Sequence, residues 1–490
     1  MTQKSANGLS RRGVLAGFGA GAASVTLASM GGAQAASLPA PESFESYDVV
    51  VIGSGMAGCA AALEAVSRGA RVVVLEKSAA MWMGGNSLLA GGSFAIPLED
   101  TAEAKTAFVE DYEKYCLGRG NTSIFRLMAE HCQADLDWLA ENGIEFLAAE
   151  PRPPNRVATV GAAPGSFVGM PRVFRLLRAR IEALGGVFAF DTKARQLILN
   201  AAGAVSGVRA LSKGKVVDYH AKSVVIAAGG YGGNSQMLEA YSDPNAGGLM
   251  VRGIKWATGD GLVMAQAAGA GIKGMGGMMA LHIAAVDSRE TAAGQPARAV
   301  PYSLSINSDG KRFIDESRGY VAHGKAVMSQ PGQSTSLVFD ENIRTMVADG
   351  IIGTFERLGL KVQKADTLQE LAVAIGVPVE TFMQTVQSYN AAVNGQSALG
   401  VDPPKQYLAY KIETAPFYAF TPLVPGITLT FGGIMIDDRA RALEADGRVI
   451  AGLYAAGEGA GAVFFHDYIG GGSLSNCLVM GRIAGASAAA

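Results

Sequence analysis

Residues 47–77 read YDVVVIGSGMAGCAAALEAVSRGARVVVLEK, and this stretch decides the fold. Val49 to Ile52 is an unbroken β-branched run suited to a parallel strand buried on both faces. Gly53, Gly55 and Gly58 follow at G-x-G-x-x-G spacing, Ala60 to Arg68 has helical composition, and Arg71 to Leu75 supplies a second apolar strand ending at Glu76. Each part has a physical task. Gly53 makes the tight turn, Gly55 lets the backbone approach a pyrophosphate, and Gly58 lets helix pack on strand. The phosphates sit at the helix amino terminus, where free N–H groups and the helix dipole favour anions. Glu76 is placed to accept from ribose hydroxyls and disfavours a 2′-phosphate. This unit by itself fits either NAD or FAD, and the fold class it predicts is α/β, with a Rossmann-like dinucleotide domain.

Working outward, Val224-Val225-Ile226-Ala227-Ala228-Gly229 is a second buried strand ending in glycines, and Gly452-Leu453-Tyr454-Ala455-Ala456-Gly457-Glu458 lies near the carboxyl end. Together with the first unit these resemble the signature segments of two-dinucleotide-fold flavoproteins, which favours FAD. The 490 residues are 49% hydrophobic and 17% charged, the profile of a folded, multi-domain protein. Lys plus Arg number 41 against 43 Asp plus Glu, without a basic block, so nucleic acid is excluded as a partner. The 64 glycines, nearly twice the usual share of about 7%, fit a chain that must turn tightly and approach a ligand closely. Cys59, Cys116, Cys132 and Cys477 form no Cys-x-x-Cys pair. No metal, iron–sulfur cluster or covalent haem is therefore expected; Cys116 and Cys132 are candidates for a disulfide, with free buried thiols the favoured state.

The first 36 residues, with Ser10-Arg11-Arg12-Gly13-Val14-Leu15, a soft apolar stretch to Met30 and Ala33-Gln34-Ala35, resemble a twin-arginine export signal. That resemblance implies delivery, already folded around a cofactor, to the periplasm. An uncleaved anchor is the alternative, but the stretch is too short and too rich in Gly and Ala for a stable membrane span.

Five markers in order resemble the flavoprotein family of soluble fumarate reductases, with its relatives urocanate reductase, 3-ketosteroid Δ1-dehydrogenase and tricarballylate dehydrogenase. They are Met83-Gly84-Gly85-Asn86-Ser87, Thr258-Gly259-Asp260-Gly261, the run Asn307 to Glu316, Thr430-Phe431-Gly432-Gly433, and Gly470-Gly471-Gly472-Ser473 with Gly481 to Gly485. The resemblance implies a discontinuous FAD domain, residues 42–277 and 421–490, and an inserted α+β capping domain, residues 278–420. Leu368, Leu371, Ile375 and Phe382, at helical spacing, read as core positions of cap helices. Cofactor contacts are expected from Gly53, Gly55, Met56, Ala57, Gly58, Glu76 and Lys77, from Gly85, Asn86, Ser87, Gly91 and Gly92, from Ala228, Gly229 and Asp260, and from Gly457, Glu458, Gly472, Ser473 and Leu474. Asn86 stands where membrane-bound relatives carry the histidine that attaches FAD covalently, so non-covalent FAD is expected. No haem motif precedes residue 45, which implies a separate electron donor or acceptor.

The same resemblance implies two-electron exchange between flavin N5 and a carbon–carbon bond next to a carbonyl or carboxylate. Fumarate reductases deliver the proton from an arginine, and Tyr320 stands at that point here; urocanate reductase and ketosteroid dehydrogenase are similar in having tyrosine. A second substrate arginine is replaced by the stretch Phe464 to Gly471, which carries His466 and Tyr468. Tyr320 is the expected proton-transfer group, with Arg318 or His323 as a charge partner by proximity. Tyr468 and the Gly472 amide are expected to receive developing enolate charge, and His282, His466 and Arg298 are candidate substrate contacts. A polycarboxylate and a steroid-like or aromatic enone both remain open as substrates. The competing readings are a non-catalytic flavin carrier and a nicotinamide-dependent dehydrogenase.

Overall fold

Val49–Ile52 forms a strand with every residue buried and sits at the centre of a six-stranded sheet. Its neighbours are Val72–Leu75 on one side and Ser223–Ile226 on the other, both parallel and in register at Val51 with Val74 and Val225. Val187–Ala189 continues the sheet beyond the first neighbour; Val449–Ala455 and Arg441–Leu443 continue it beyond the second. β-branched residues on both faces suit a sheet covered on both sides, and an apolar cluster lies against each. The switch from Val72–Leu75 to Ser223–Ile226 leaves a crevice at the carboxyl end of the central strand, where Gly53 lies.

The structure, a computed structural model, describes residues 38–161, 169–277, 280–286 and 294–490. The export-signal reading therefore falls outside the described residues. Residues 41 to 490 belong to one compact unit. Among the described residues no helix is long and apolar enough to cross a membrane.

The first helix spans Met56–Ser67, four residues earlier than its composition suggests, because Gly55 in extended conformation is its N-cap and the glycine loop supplies its first turn. The terminal helix Gly472–Ala488 lies against it. Cβ atoms at Gly481 and Gly485 would meet the Ala57 and Ala61 carbonyl oxygens at 2.5 and 2.3 Å, so these marker glycines set the close approach of the two helices.

A third apolar cluster, drawn from residues 283–423, is organised by the strand Phe417–Leu429. Thr335–Phe339 and Val362–Ala365 pair with its first half, and Ala280–Ala285 with its second. Met250–Val251 pairs with Gly426 and Ile427, and Phe417–Leu429 runs unbroken through residues 420 and 421. The helices Leu368–Ile375 and Val379–Ala392 cover this cluster, with Leu371 and Phe382 fully buried. All four cysteines are free and buried. Burial pushes the Cys116 thiol up to about 11, so it stays protonated and unreactive near neutral pH.

Candidate functional site

A cavity of ≈ 430 Å³ opens at the carboxyl end of the central strand. Gly53, Gly55, Met56 and Ala57 form one wall, and Glu76, Lys77, Gly85, Asn86, Ser87, Gly91, Ala228, Gly229, Asp260, Gly457, Glu458, Ser473 and Leu474 complete much of the rest. Seventeen of the twenty residues expected to hold a cofactor thus line one space. Gly58, Gly92 and Gly472 do not, because each serves the backbone instead. A Cβ at Gly58 would sit 2.0 Å from the Gly53 oxygen; one at Gly92, where φ is +71°, would meet Val160 at 2.3 Å; one at Gly472 would meet the Tyr112 hydroxyl at 2.5 Å.

The donor set fits FAD. Gly53 has φ +100°, and a Cβ there would strike the Ala227 oxygen at 2.4 Å, so the turn that opens the cradle requires glycine. The terminal helix also begins at the cavity, with Gly471 as its N-cap at φ +91°, so two long helices aim amino termini at the site. The Glu76 carboxylate accepts from the Ser54 amide at 3.1 Å, the Ser54 hydroxyl at 2.6 Å and the Ser78 amide at 2.8 Å, which fixes it on the cavity wall. Asp260 meets Lys77 at 2.5 Å and Lys193 at 3.1 Å. Burial works against its ionised form, yet the two lysines hold the Asp260 carboxyl below its usual range. Asn86 ties three segments together: its amide donates to Glu458 at 3.1 Å and to the Thr428 carbonyl at 3.3 Å, while its oxygen accepts from the Ile254 amide at 2.8 Å. A carboxamide held this way is no nucleophile, consistent with dissociable FAD.

Tyr320 reaches this region through a buried ion cluster. Asn307 accepts from the Asp309 and Lys311 amides at 3.1 and 3.0 Å and folds the marker run into a turn. The Arg312 guanidinium then grips Glu316 at 3.1 and 2.9 Å, with the fully buried Lys405 ammonium 3.7 Å away. Burial acts the other way, but Lys405 and Arg312 pull the Glu316 carboxyl below its ordinary value. Gly319, at φ +91°, releases the chain into the helix Tyr320–Met328. Further along that helix the buried Lys325 ammonium donates to the His466 carbonyl and pins the segment that carries Tyr468. The Tyr320 and Tyr468 hydroxyls are hydrogen-bonded to each other. Burial first, and this contact second, raise the Tyr320 phenol well above its usual value.

Tyr468 lines the cavity, whereas Tyr320, His466, Arg318 and Arg298 do not; Arg318 and Arg298 are exposed. His282 lies on the strand Ala280–Ala285 in register with Gly426. Two expectations are corrected. His323 is not a charge partner for Tyr320: it is fully buried, bonded to the Ser305 hydroxyl at 2.5 Å and stacked on Phe313, and burial drops its imidazole to about 4, so it is neutral. The Gly472 amide is already donated to the Ile469 carbonyl at 2.8 Å, so it is not free to receive developing charge.

The cation beside the two phenols is Arg252, which the sequence reading passed over. It follows the short strand Met250–Val251, lines the cavity and interacts electrostatically with both Tyr468 and Tyr320. No spacing rule marks it. Ser54, Lys193 and Thr428 were also missed; Ser54 stands inside the glycine fingerprint and was the one within reach of local reasoning.

Comparison with known proteins agrees with this geometry. The FAD binding domain family matches residues 48–474. The chain is 31% identical over 463 residues to a probable fumarate reductase, Ifc3, of Shewanella frigidimarina, spanning 91% of this chain and 75% of that protein. It is 31% identical over 522 residues to an NADH:acrylate oxidoreductase of Vibrio harveyi, of which it spans 50% of the length. Among solved structures, 3-ketosteroid-Δ4-(5α)-dehydrogenase of Rhodococcus jostii RHA1 superposes with a TM-score of 0.71 at 25% identity, covering 93% of this chain and 99% of that one. The chain belongs to the FAD-dependent flavoprotein family of the fumarate reductases, a family of oxidoreductases that act on carbon–carbon bonds, and FAD is its cofactor.

Proposed function

We propose that this chain is an exported enzyme that reduces a carbon–carbon double bond next to a carbonyl or carboxylate, with Tyr320 delivering the proton. The observation that carries this reading is the hydroxyl pair that Tyr320 forms with Tyr468, which lines the FAD cavity together with Arg252. Bound FAD supplies the two-electron chemistry, exchanging a hydride with a substrate carbon. Burial keeps the Tyr320 phenol protonated near neutral pH, which suits proton delivery; abstraction in the reverse direction would require its anion. Tyr468 donates toward the oxygen that gains charge as the double bond is attacked, and the buried Arg252 cation stabilises that charge in a low-dielectric site.

The cluster built from residues 283–423 serves as the cap, residues 278–420, that excludes water over the site. Residues 1–36 direct export by the twin-arginine route to the periplasm, and a separate carrier supplies electrons. The test is anaerobic: the holoprotein is reduced and mixed in turn with fumarate, urocanate, tricarballylate and a 3-ketosteroid. Return of oxidised flavin absorbance with at least one is expected; if none of these, nor related enones, reoxidises the flavin, the reading fails.

A further inference from the structure

We propose that Arg252 is the anion-recognising residue of this site, so that the substrate carries a carboxylate gripped by the Arg252 guanidinium beside the Tyr468 hydroxyl while its reacting carbon lies against the Tyr320 hydroxyl. This deepens the reading above and rests on it.

The site is built for that side chain. The Arg252 amide donates to the Ile427 carbonyl at 2.9 Å, which anchors its backbone to the strand Phe417–Leu429. Its stem crosses Gly426 on the same strand, where a Cβ would meet the Arg252 Cγ and Cδ at 2.5 and 2.8 Å. Only glycine at 426 leaves room for the stem. The guanidinium donates to the Thr428 hydroxyl at 3.2 Å, so the head is aimed along the strand toward the cavity that Thr428, Leu429 and Tyr468 also line. Arg252 is 9% exposed, and burial lowers its guanidinium to about 10, still fully protonated near neutral pH.

A buried arginine at the wall of a reaction cavity offers a planar fork of donors that matches a carboxylate. The phenols of Tyr320 and Tyr468 remain protonated, so Tyr320 can protonate the reacting carbon and Tyr468 can donate to the carboxylate oxygen without either supplying positive charge. Charge recognition and proton delivery are thereby divided between the strand end at Arg252 and the helix start at Tyr320.

Acid and amide pairs of equal shape test this: acrylate against acrylamide, fumarate against fumaramide, cinnamate against cinnamamide, with 2-cyclohexenone as a neutral ketone. For at least one pair the wild-type holoprotein should favour the acid in kcat/KM by about 10- to 100-fold, the span of a charge-assisted contact. In Arg252→Gln that ratio should collapse toward one. Calorimetric titration with propionate and propionamide should show the same preference and the same collapse without turnover. Equal use of acid and amide by the wild type, or a preference that survives Arg252→Gln, overturns the proposal. Reduction of 2-cyclohexenone alone overturns it while leaving double-bond reduction standing. Silence across the whole panel removes the function reading and this role with it. Should Arg252→Gln lose FAD, Arg252→Lys is read instead: a point charge replaces the fork, the acid preference should fall several-fold, and an unchanged ratio overturns the assignment.

Discussion

Tyr320 stands at the first residue of its helix with its hydroxyl hydrogen-bonded to that of Tyr468, so removing one oxygen separates chemistry from scaffold. Tyr320→Phe should lower turnover about 10²- to 10⁴-fold while leaving the flavin bound, since Tyr320 does not line the cofactor cavity. Activity assays with flavin content as the control decide it, and near-full activity would remove Tyr320 from proton transfer. His323 carries a prediction of a different kind. Its imidazole is neutral when folded, at about 4, and titrates near 6.5 when unfolded. Between those values the unfolded chain binds a proton that the folded chain does not, so stability falls as pH drops through that window and is recovered above it. At most about 3 kcal/mol is at stake. Urea midpoints of wild type and His323→Asn, followed from pH 7 to pH 4.5, should converge on the acid side; parallel curves would rule the group out.

At the scale of elements, the strand, glycine turn and helix from Val49 to Ser67 act as one part. Gly58 does not line the cavity, yet its missing Cβ lets the helix return against the Gly53 carbonyl. Gly58→Ala should cost about 1–3 kcal/mol in stability and release most of the flavin, read from flavin absorbance per protein and the thermal midpoint. A fully flavinated variant of normal midpoint would refute the packing role. This element was legible in the residues because backbone sterics are local: only glycine tolerates the Gly53 turn, and a β-branched run buried on both faces suits a parallel strand. The helix start was misjudged by four residues, since propensity reports composition whereas the N-cap at Gly55 depends on the turn before it.

Over the whole molecule, the cofactor cavity draws on residues from Ile52 to Cys477, so FAD joins segments far apart in the chain. FAD should therefore stabilise the protein as a ligand that binds only the folded state. Apoprotein should melt below holoprotein, with the midpoint rising with added FAD and a gain of about 2.7 kcal/mol at one hundred times the Kd. A midpoint indifferent to FAD would contradict the assembly. From residue order alone came the parallel strands, the glycine cradle and Glu76, because each rests on local sterics or on motif spacing, while Asn86 and the choice of FAD came from the resemblance of the further motifs to flavoproteins. Folding alone decided that Tyr320 bonds Tyr468, that His323 is buried and neutral, and that Arg252 crosses Gly426 and interacts electrostatically with both phenols. Those contacts join residues far apart in the chain, and the burial that sets their charge states comes from neighbours that no local spacing specifies.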